Sequence, residues 1–248
     1  MIPDPLFDFT DKVVLVTGGS RGLGYRMAMA FAERGADLIV ASRKLENCEK
    51  VAGEVRALGR RALAVGMHGG RWADCDALIE QAYGEFGRVD VLVNNAGMSP
   101  ACPSHELTEA LFDSVLNLNF KGPFRLASQI GHRMREGSGG AIINISSIAS
   151  IRAAPGVVPY SGAKAALNAM TVSLAREYAP KVRVNAIVAG AFLTDIAAAW
   201  EPEKREKQPV ALGRPGRPEE IITAALVLAS SASSYTTGEL LHVDGGSL

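Results

Sequence analysis

The chain has 248 residues, 48% of them hydrophobic and 21% charged, a composition that supports one large α/β domain with a well-buried core. Its formal net charge is zero and it has no long basic run, so the positive field typical of proteins that bind nucleic acids is absent. No signal-peptide pattern opens the chain and no apolar run reaches the length of a membrane span, so we predict a cytoplasmic protein without a membrane partner.

Strand and helix patterns alternate along the whole chain. Short apolar runs predict strands at 12–17, 37–41, 62–65, 89–93, 141–145, 182–187 and 240–243. Amphipathic stretches predict helices at 26–34, 44–58, 73–86, 109–135 and 159–178. Apolar strands that alternate with helices favour a parallel sheet covered on both faces. We therefore predict an α/β fold with a doubly wound parallel sheet, formed by a single domain over residues 1–248.

A proline- and glycine-rich segment at 208–218 (QPVALGRPGRP) predicts a loop late in the chain. With the residues that precede it, this loop is long enough to cover a binding site. We therefore predict that residues 191–217 form a lid over the substrate.

The cysteines Cys48, Cys75 and Cys102 are odd in number and form no C-x-x-C pair. Neither a disulfide framework nor a zinc site follows from this spacing. We therefore predict a protein of a reducing compartment that uses no metal.

A glycine-rich loop, TGGSRGLG, lies between the first predicted strand and the first predicted helix. Glycines there allow a tight turn and a close backbone approach, while the helix N-terminus attracts phosphate. The loop lacks the Gly-Lys-Ser/Thr ending of a nucleoside-triphosphate site. An ordinary strand-to-helix turn is the alternative, but the position favours dinucleotide binding by six residues of the loop: Gly18, Ser20, Arg21, Gly22, Leu23 and Gly24.

Tyr160 and Lys164 stand four residues apart in a predicted helix, which places both on one face. A nearby ammonium favours phenolate, so we expect the pKa of Tyr160 to lie below its ordinary value of about 10. A tyrosine with such a pKa can donate and accept a proton near neutral pH. Taken alone, the pair is also compatible with the exposed face of an ordinary helix.

The motifs in their order resemble the short-chain dehydrogenase/reductase family, whose domain is a Rossmann fold. The resemblance rests on the glycine loop, Asn94-Asn95-Ala96-Gly97, Ser146-Ser147, Tyr160-x-x-x-Lys164 and Val243-Asp244-Gly245-Gly246. It covers nearly the whole chain and is nearest to the 3-oxoacyl-carrier-protein reductase and gluconate or sugar dehydrogenase branches. The resemblance also implies a homotetramer or homodimer, with helices 109–135 and 159–178 at a two-fold interface.

The resemblance assigns roles to individual residues. Tyr160 corresponds to the acid/base, Lys164 to the residue that lowers its pKa and binds the nicotinamide ribose, and Ser147, thirteen residues before the tyrosine, to the serine that binds the substrate oxygen. Asn119 corresponds to the asparagine that holds a relay water, with Asn117 as the alternative. Further cofactor contacts are implied at Asn95, Ala96, Gly97, Gly190 and Thr194.

Two positions depart from the family pattern. His68 stands where many relatives carry an aspartate or asparagine beside the adenine, so it contacts adenine or serves only as a loop histidine. Ala189-Gly190 replaces the Pro-Gly of relatives, which would give the lid a more flexible start.

Cofactor choice is predicted from the end of the second strand, where NAD enzymes place an acidic residue on the ribose 2′-hydroxyl. This chain has Ser42 there, followed by Arg43 and Lys44, and Arg21 lies in the glycine loop. Guanidinium groups bind phosphate through paired hydrogen bonds, so we predict NADP(H) rather than NAD(H). The alternative, that Arg43 and Lys44 only begin a solvated helix, does not account for the missing acid.

These observations predict an NADP(H)-dependent oxidoreductase that interconverts a secondary alcohol and a ketone, such as a 3-oxoacyl thioester or keto sugar. Its partner would be a small-molecule substrate, with no nucleic acid. A non-catalytic nucleotide-binding regulator or scaffold of the same fold is the main alternative. A Rossmann methyltransferase is a weaker one.

Overall fold

The computed structural model describes residues 4–195, 197 and 201–247. Its centre is a seven-stranded sheet in the order β3-β2-β1-β4-β5-β6-β7, and every neighbouring pair is parallel. The strands are β1 (Val13–Thr17), β2 (Asp37–Ser42), β3 (Ala62–Gly66), β4 (Val91–Asn94), β5 (Gly140–Ser147), β6 (Val182–Ala189) and β7 (Leu240–Val243). The predicted fold class and all seven predicted strands are confirmed.

Helices cover both faces of the sheet. They are α1 (Gly22–Ala32), α2 (Leu45–Ala57), α3 (Trp72–Phe86), α4 (Glu109–Leu116), α5 (Gly122–Glu136), α6 (Val158–Tyr178), α7 (Pro202–Glu206) and α8 (Ile222–Ala229). The side chains of β1 point alternately to the two faces of the sheet, so each face has its own apolar core. Val14 and Val16 pack with α1, α2 and α8, whereas Val13 and Leu15 pack with α3, α5 and α6.

The helix predicted at 109–135 is two helices joined by a π-helical turn at Asn117–Lys121. This turn buries the Asn119 side chain completely. Single π turns inside helices often mark functional sites because they redirect side chains. Helices α7 and α8 were not predicted, since they lie among the prolines, glycines and small residues of the C-terminal region.

The strand order reverses beside β1, which pairs with β2 on one side and β4 on the other. In a doubly wound sheet this switch point, at the carboxyl ends of the strands, is where ligands bind. The glycine loop and the segments that follow β4, β5 and β6 all leave the sheet at this edge. Among the described helices, none combines the length and the apolarity that crossing a membrane would require.

The predicted lid, 191–217, is described in part, because residues 196 and 198–200 lie outside the described residues. Its two ends are joined: the Leu193 amide donates to the Gly216 carbonyl, and the Gly216 amide donates to the Ala191 carbonyl, each at 2.8 Å. The base of this segment is therefore held together beside the end of β6.

Candidate active site

The glycine loop forms a cradle without room for side chains. Gly18 and Gly22 have φ values of 64° and 55°, in the left-handed region that favours glycine. A Cβ atom at Gly24 would lie 2.3 Å from the Gly18 carbonyl oxygen, so α1 can begin this close to β1 only with glycine there. Backbone amides at such a helix start can approach a pyrophosphate directly.

Asn95 ties this cradle to the neighbouring strand. Its Nδ2 donates to the carbonyl oxygens of Thr17 at 3.0 Å and Gly18 at 3.3 Å, while the Asn95 and Ala96 amides both donate to the Thr17 hydroxyl. The structure thus gives Asn95 and Ala96 a positioning contact with the loop, in addition to their predicted place beside the cofactor.

A groove of about 240 Å³ opens between the glycine loop and α2, lined by Ser20, Arg21, Tyr25, Asn47, Lys50, Val51 and Glu54. Ser42 lies next to the groove residue Ser20, because its hydroxyl donates to the Ser20 hydroxyl at 2.8 Å. The Arg43 side chain is exposed and makes no hydrogen bond or ion pair within the part of the chain that the structure describes. Arg21 pairs with Asp195 at 3.1 Å, an exposed contact that contributes little free energy and can be exchanged.

The predicted catalytic residues meet at the carboxyl end of β5. Lys164 is buried and its Nζ donates to the Ile145 carbonyl oxygen at 2.8 Å. Its Nζ also lies 5.7 Å from the centre of the Tyr160 ring. The Ser147 side chain lies close enough to Tyr160 to lower the pKa of its phenol. The strand and the helix therefore bring Ser147, Tyr160 and Lys164 into one cluster.

The prediction that the pKa of Tyr160 lies below its ordinary value of about 10 is wrong. Burial raises the pKa of this phenol, and the neighbouring Ser147 side chain lowers it by less. Burial also lowers the pKa of Lys164 to about 8, and its Nζ is engaged by a backbone carbonyl. The sequence showed the pair but not the cost of desolvating both charges. At neutral pH Tyr160 is therefore protonated, which suits a proton donor to a carbonyl.

We expect this lysine to leave a signature in the pH dependence of stability. Between pH 8 and 10 the unfolded chain holds a proton on Lys164 that the folded chain has released, so stability from this group rises with pH. Relative to Lys164→Met, the wild type should gain about 2 kcal/mol of unfolding free energy across this window. Urea unfolding at several pH values measures the difference, and parallel pH profiles for the two proteins would contradict the burial argument.

Asn119 lies beside this cluster, held by the π turn. Its Nδ2 donates to the carbonyl oxygens of Val115 and Met98, both at 2.9 Å, and its Oδ1 accepts from the Met98 amide at 3.3 Å. A Cβ at Gly97 would lie 2.8 Å from Asn119 Oδ1 and 3.6 Å from Lys164 Nζ. Asn119 therefore faces the lysine across Gly97. The alternative, Asn117, packs instead against Gly70.

The remaining predicted cofactor residues lie around the same edge. Gly190 abuts the turn after β7, where a Cβ would lie 2.6 Å from the Asp244 Cα, so only glycine fits. The Thr194 side chain would be 3.5 Å from a Cβ at Gly22, which places it over the glycine loop. His68 closes a local turn, since its Nδ1 accepts from the Gly70 amide at 3.3 Å.

All three cysteines are free thiols, and Cys48 and Cys75 are buried. Cys48, Cys75 and Cys102 form no disulfide. Burial raises the pKa of the Cys75 thiol to about 12. Within the described ranges, no group of three or more His, Cys, Asp or Glu side chains is arranged to hold a metal.

Two polar residues near Ser147 were not predicted from the sequence. Asn168 Nδ2 donates to the Ser150 hydroxyl at 2.8 Å, and that hydroxyl donates to the Ser147 carbonyl oxygen at 2.6 Å. The available signal was the spacing, because Asn168 follows Lys164 by four residues, as Lys164 follows Tyr160.

The fold and the site define an oxidoreductase that binds a nicotinamide dinucleotide and acts on alcohols and ketones. A family model described as short chain dehydrogenase matches residues 12–205. The chain belongs to this family. A curated relative, the 3alpha-hydroxysteroid dehydrogenase of Mediterraneibacter gnavus, is 38% identical over 241 residues, which cover 95% of this chain and 96% of that protein.

Solved structures of two similar proteins contain a nicotinamide dinucleotide. A 7 alpha-hydroxysteroid dehydrogenase complexed with NADH and 7-oxo glycochenodeoxycholic acid is 31% identical, with a TM-score of 0.94 and coverage of 100% of this chain and 98% of that one. A blue fluorescent protein from a metagenomic library, in complex with NADPH, is 33% identical, with a TM-score of 0.90 and coverage of 96% and 98%. Proteins similar to this chain therefore bind either dinucleotide.

Proposed function

We propose that this protein is an NADP(H)-dependent oxidoreductase that interconverts a secondary alcohol and a ketone, with Tyr160 as the acid/base. The observation that carries the proposal is the cluster of Ser147, Tyr160 and Lys164 beside a glycine cradle that fits a pyrophosphate. The bound dinucleotide would supply or accept the hydride. The chain's own residues would handle the proton and orient the carbonyl.

Each residue of the cluster has a separate task in this proposal. The Ser147 hydroxyl holds the substrate oxygen, and the Tyr160 hydroxyl donates a proton to it during reduction and removes that proton during oxidation. The Lys164 ammonium stabilises the phenolate left after donation. Asn119, which faces Lys164 across Gly97, would hold a water that returns the proton from solvent.

Preference for NADP(H) is supported by the groove beside Ser42. This residue carries no charge that would repel a 2′-phosphate, and Arg43 is exposed without a protein partner among the described residues. Arg21 lines the groove and can leave Asp195, because exposed ion pairs contribute only about 0–1 kcal/mol. We propose that both guanidinium groups contact the adenosine 2′-phosphate.

The substrate is proposed to carry an apolar body. Large apolar side chains are exposed around the cluster: Ile151 at 52%, Val158 at 56%, Leu193 at 37% and Leu212 at 67%. They lie on the segments that leave β5 and β6 at one edge, where Ser147 pairs with Ala189 in register. Such a rim matches an acyl chain or ring, and it would leave the hydroxyls of a keto sugar unpaired.

A comparison of ketones tests this function. We expect the protein to oxidise NADPH with the thioester acetoacetyl-N-acetylcysteamine or with cyclohexanone, at a kcat/KM at least about tenfold above that for 5-keto-D-gluconate. Ile151→Ser should reduce the preference for these ketones over the keto sugar, whereas Leu58→Ser, which changes a similarly exposed leucine just after α2, should not. Better turnover of the keto sugar would contradict the apolar substrate.

The rival function, a nucleotide-binding scaffold, has no use for the complete cluster. Zero turnover of every ketone by a protein that binds NADPH tightly would favour it. A methyltransferase would have to bind S-adenosylmethionine.

We further propose that the protein forms a homodimer or homotetramer. Two phenylalanines, Phe112 on α4 and Phe124 on α5, are exposed on helices predicted to lie at a two-fold interface. Closed two-fold assemblies are also the commonest homo-oligomers.

A further inference from the structure

Helix α6 presents three polar side chains on one face toward β5. Tyr160, Lys164 and Asn168 follow one another at intervals of four residues, so they stack along the helix. Tyr160 lies beside the Ser147 side chain, and Lys164 Nζ donates to the Ile145 carbonyl oxygen at 2.8 Å. Asn168 makes the third contact of this face, with Ser150 in the turn that follows β5.

Ser150 links Asn168 to Ser147 through two hydrogen bonds. Its hydroxyl has a single proton, which it donates to the Ser147 carbonyl oxygen at 2.6 Å. The Ser150 hydroxyl oxygen in turn accepts a hydrogen bond from Asn168 Nδ2 at 2.8 Å. The Ser147 hydroxyl in turn accepts from the Ala149 amide at 3.2 Å, as the cap of a 3₁₀ turn at Ile148–Ser150. This short turn is thus closed on Ser147 and anchored to α6.

The anchor leaves one polar atom without a partner. Asn168 Oδ1 is buried and accepts no hydrogen bond among the described residues. An unpaired buried acceptor costs about 1–3 kcal/mol, so stability alone does not account for an asparagine at this position.

We propose that Asn168, acting through Ser150, is a positioning residue that holds the Ser147 side chain beside Tyr160. The inference rests on the proposed function, in which Ser147 and Tyr160 must reach the same substrate oxygen. A displacement of about 1 Å in a reacting group can reduce a rate by about 10²-fold, so even partial loosening of the turn should be measurable.

Turnover of acetoacetyl-N-acetylcysteamine with NADPH tests the proposal. Asn168→Ala and Ser150→Ala should each lower kcat about tenfold and leave the KM for NADPH unchanged, whereas Ser150→Thr keeps the hydroxyl and should restore activity. Thr171→Ala is the matched control, because it removes another bond between α6 and β5, from Asn144 at 2.9 Å, that does not reach Ser147. An unchanged kcat in both alanine variants, or an equal loss in the control, would overturn the proposal.

A double-mutant cycle identifies the route of the effect. In a Ser147→Ala background, Asn168→Ala should cause no further loss, because the group that it positions is gone. Full additivity of the two losses would mean that Asn168 acts elsewhere.

A readout without turnover separates this inference from the proposed function. The nearby Ser147 side chain lowers the pKa of Tyr160, so loosening the turn should move the Tyr160 titration to higher pH. NMR of isotope-labelled tyrosine follows this titration, with Tyr160→Phe assigning the signal. Asn168→Ala and Ser150→Ala should show the shift and Thr171→Ala should not. If the wild type turns over no ketone, the proposed function fails, but an unshifted titration in both variants is what refutes the positioning role.

Discussion

Tyr160→Phe should reduce kcat by at least about 10²-fold, the contribution typical of a positioned acid/base. The substitution removes only the hydroxyl, so the ring still packs near Lys164 and the glycine cradle is untouched. Binding of NADPH, measured by fluorescence titration, should therefore change little. A kcat near that of the wild type would show that another group handles the proton.

The matched control for this variant lies on the same helix. Tyr178 also sits on α6 and its hydroxyl donates to the Ser128 carbonyl oxygen at 3.0 Å, far from the carboxyl end of β5. Tyr178→Phe should keep nearly full kcat, since it loses a structural hydrogen bond and no chemistry. If both variants lost activity equally, the effect would reflect the helix rather than the proton transfer.

Ser42→Asp combined with Arg43→Leu should reverse the cofactor preference from NADPH to NADH. The aspartate would accept from the ribose 2′-hydroxyl and repel a 2′-phosphate, while the leucine removes a guanidinium. Loss of such contacts costs on the order of 1.5–3 kcal/mol, roughly ten- to a hundredfold in NADPH affinity. The ratio of kcat/KM for the two cofactors, measured in wild type and variant, checks the prediction.

Arg176→Leu provides the control for charge alone. Arg176 is exposed on α6 and, like Arg43, makes no side-chain hydrogen bond or ion pair within the described ranges. Loss of the Arg176 guanidinium should leave the ratio of kcat/KM for NADPH and NADH unchanged. A wild-type enzyme that already prefers NADH would defeat the assignment of Arg43, whatever the variants do.

The strands and the glycine loop could be predicted because their signals are local. Val13–Thr17 is a run of β-branched and apolar residues, and the glycines that follow are required by positive φ angles and by close approach of α1. The Tyr160–Lys164 spacing likewise depends only on the periodicity of one helix. Features of this kind depend only on residues that are close together in the sequence.

What could not be predicted depends on contacts between distant segments. The partners of Asn168 and Ser150 lie on different elements, so neither residue carries a recognisable motif. The pKa of Tyr160 moves opposite to the expectation because burial, which sequence spacing does not report, raises it by more than the Ser147 side chain lowers it. The π turn at Asn117–Lys121 arises where one helix must bury Asn119 against Met98.

In the proposed reaction, this cluster handles the proton of a carbonyl or alcohol group while the bound cofactor would carry the hydride. The most direct test of this reaction uses NADPH labelled with deuterium at the nicotinamide C4, incubated with the protein and acetoacetyl-N-acetylcysteamine. Mass spectrometry of the product should show deuterium on the carbinol carbon, and Tyr160→Phe should nearly abolish its formation. Absence of the labelled alcohol with this ketone and with cyclohexanone, from wild-type protein that binds NADPH, would contradict the account.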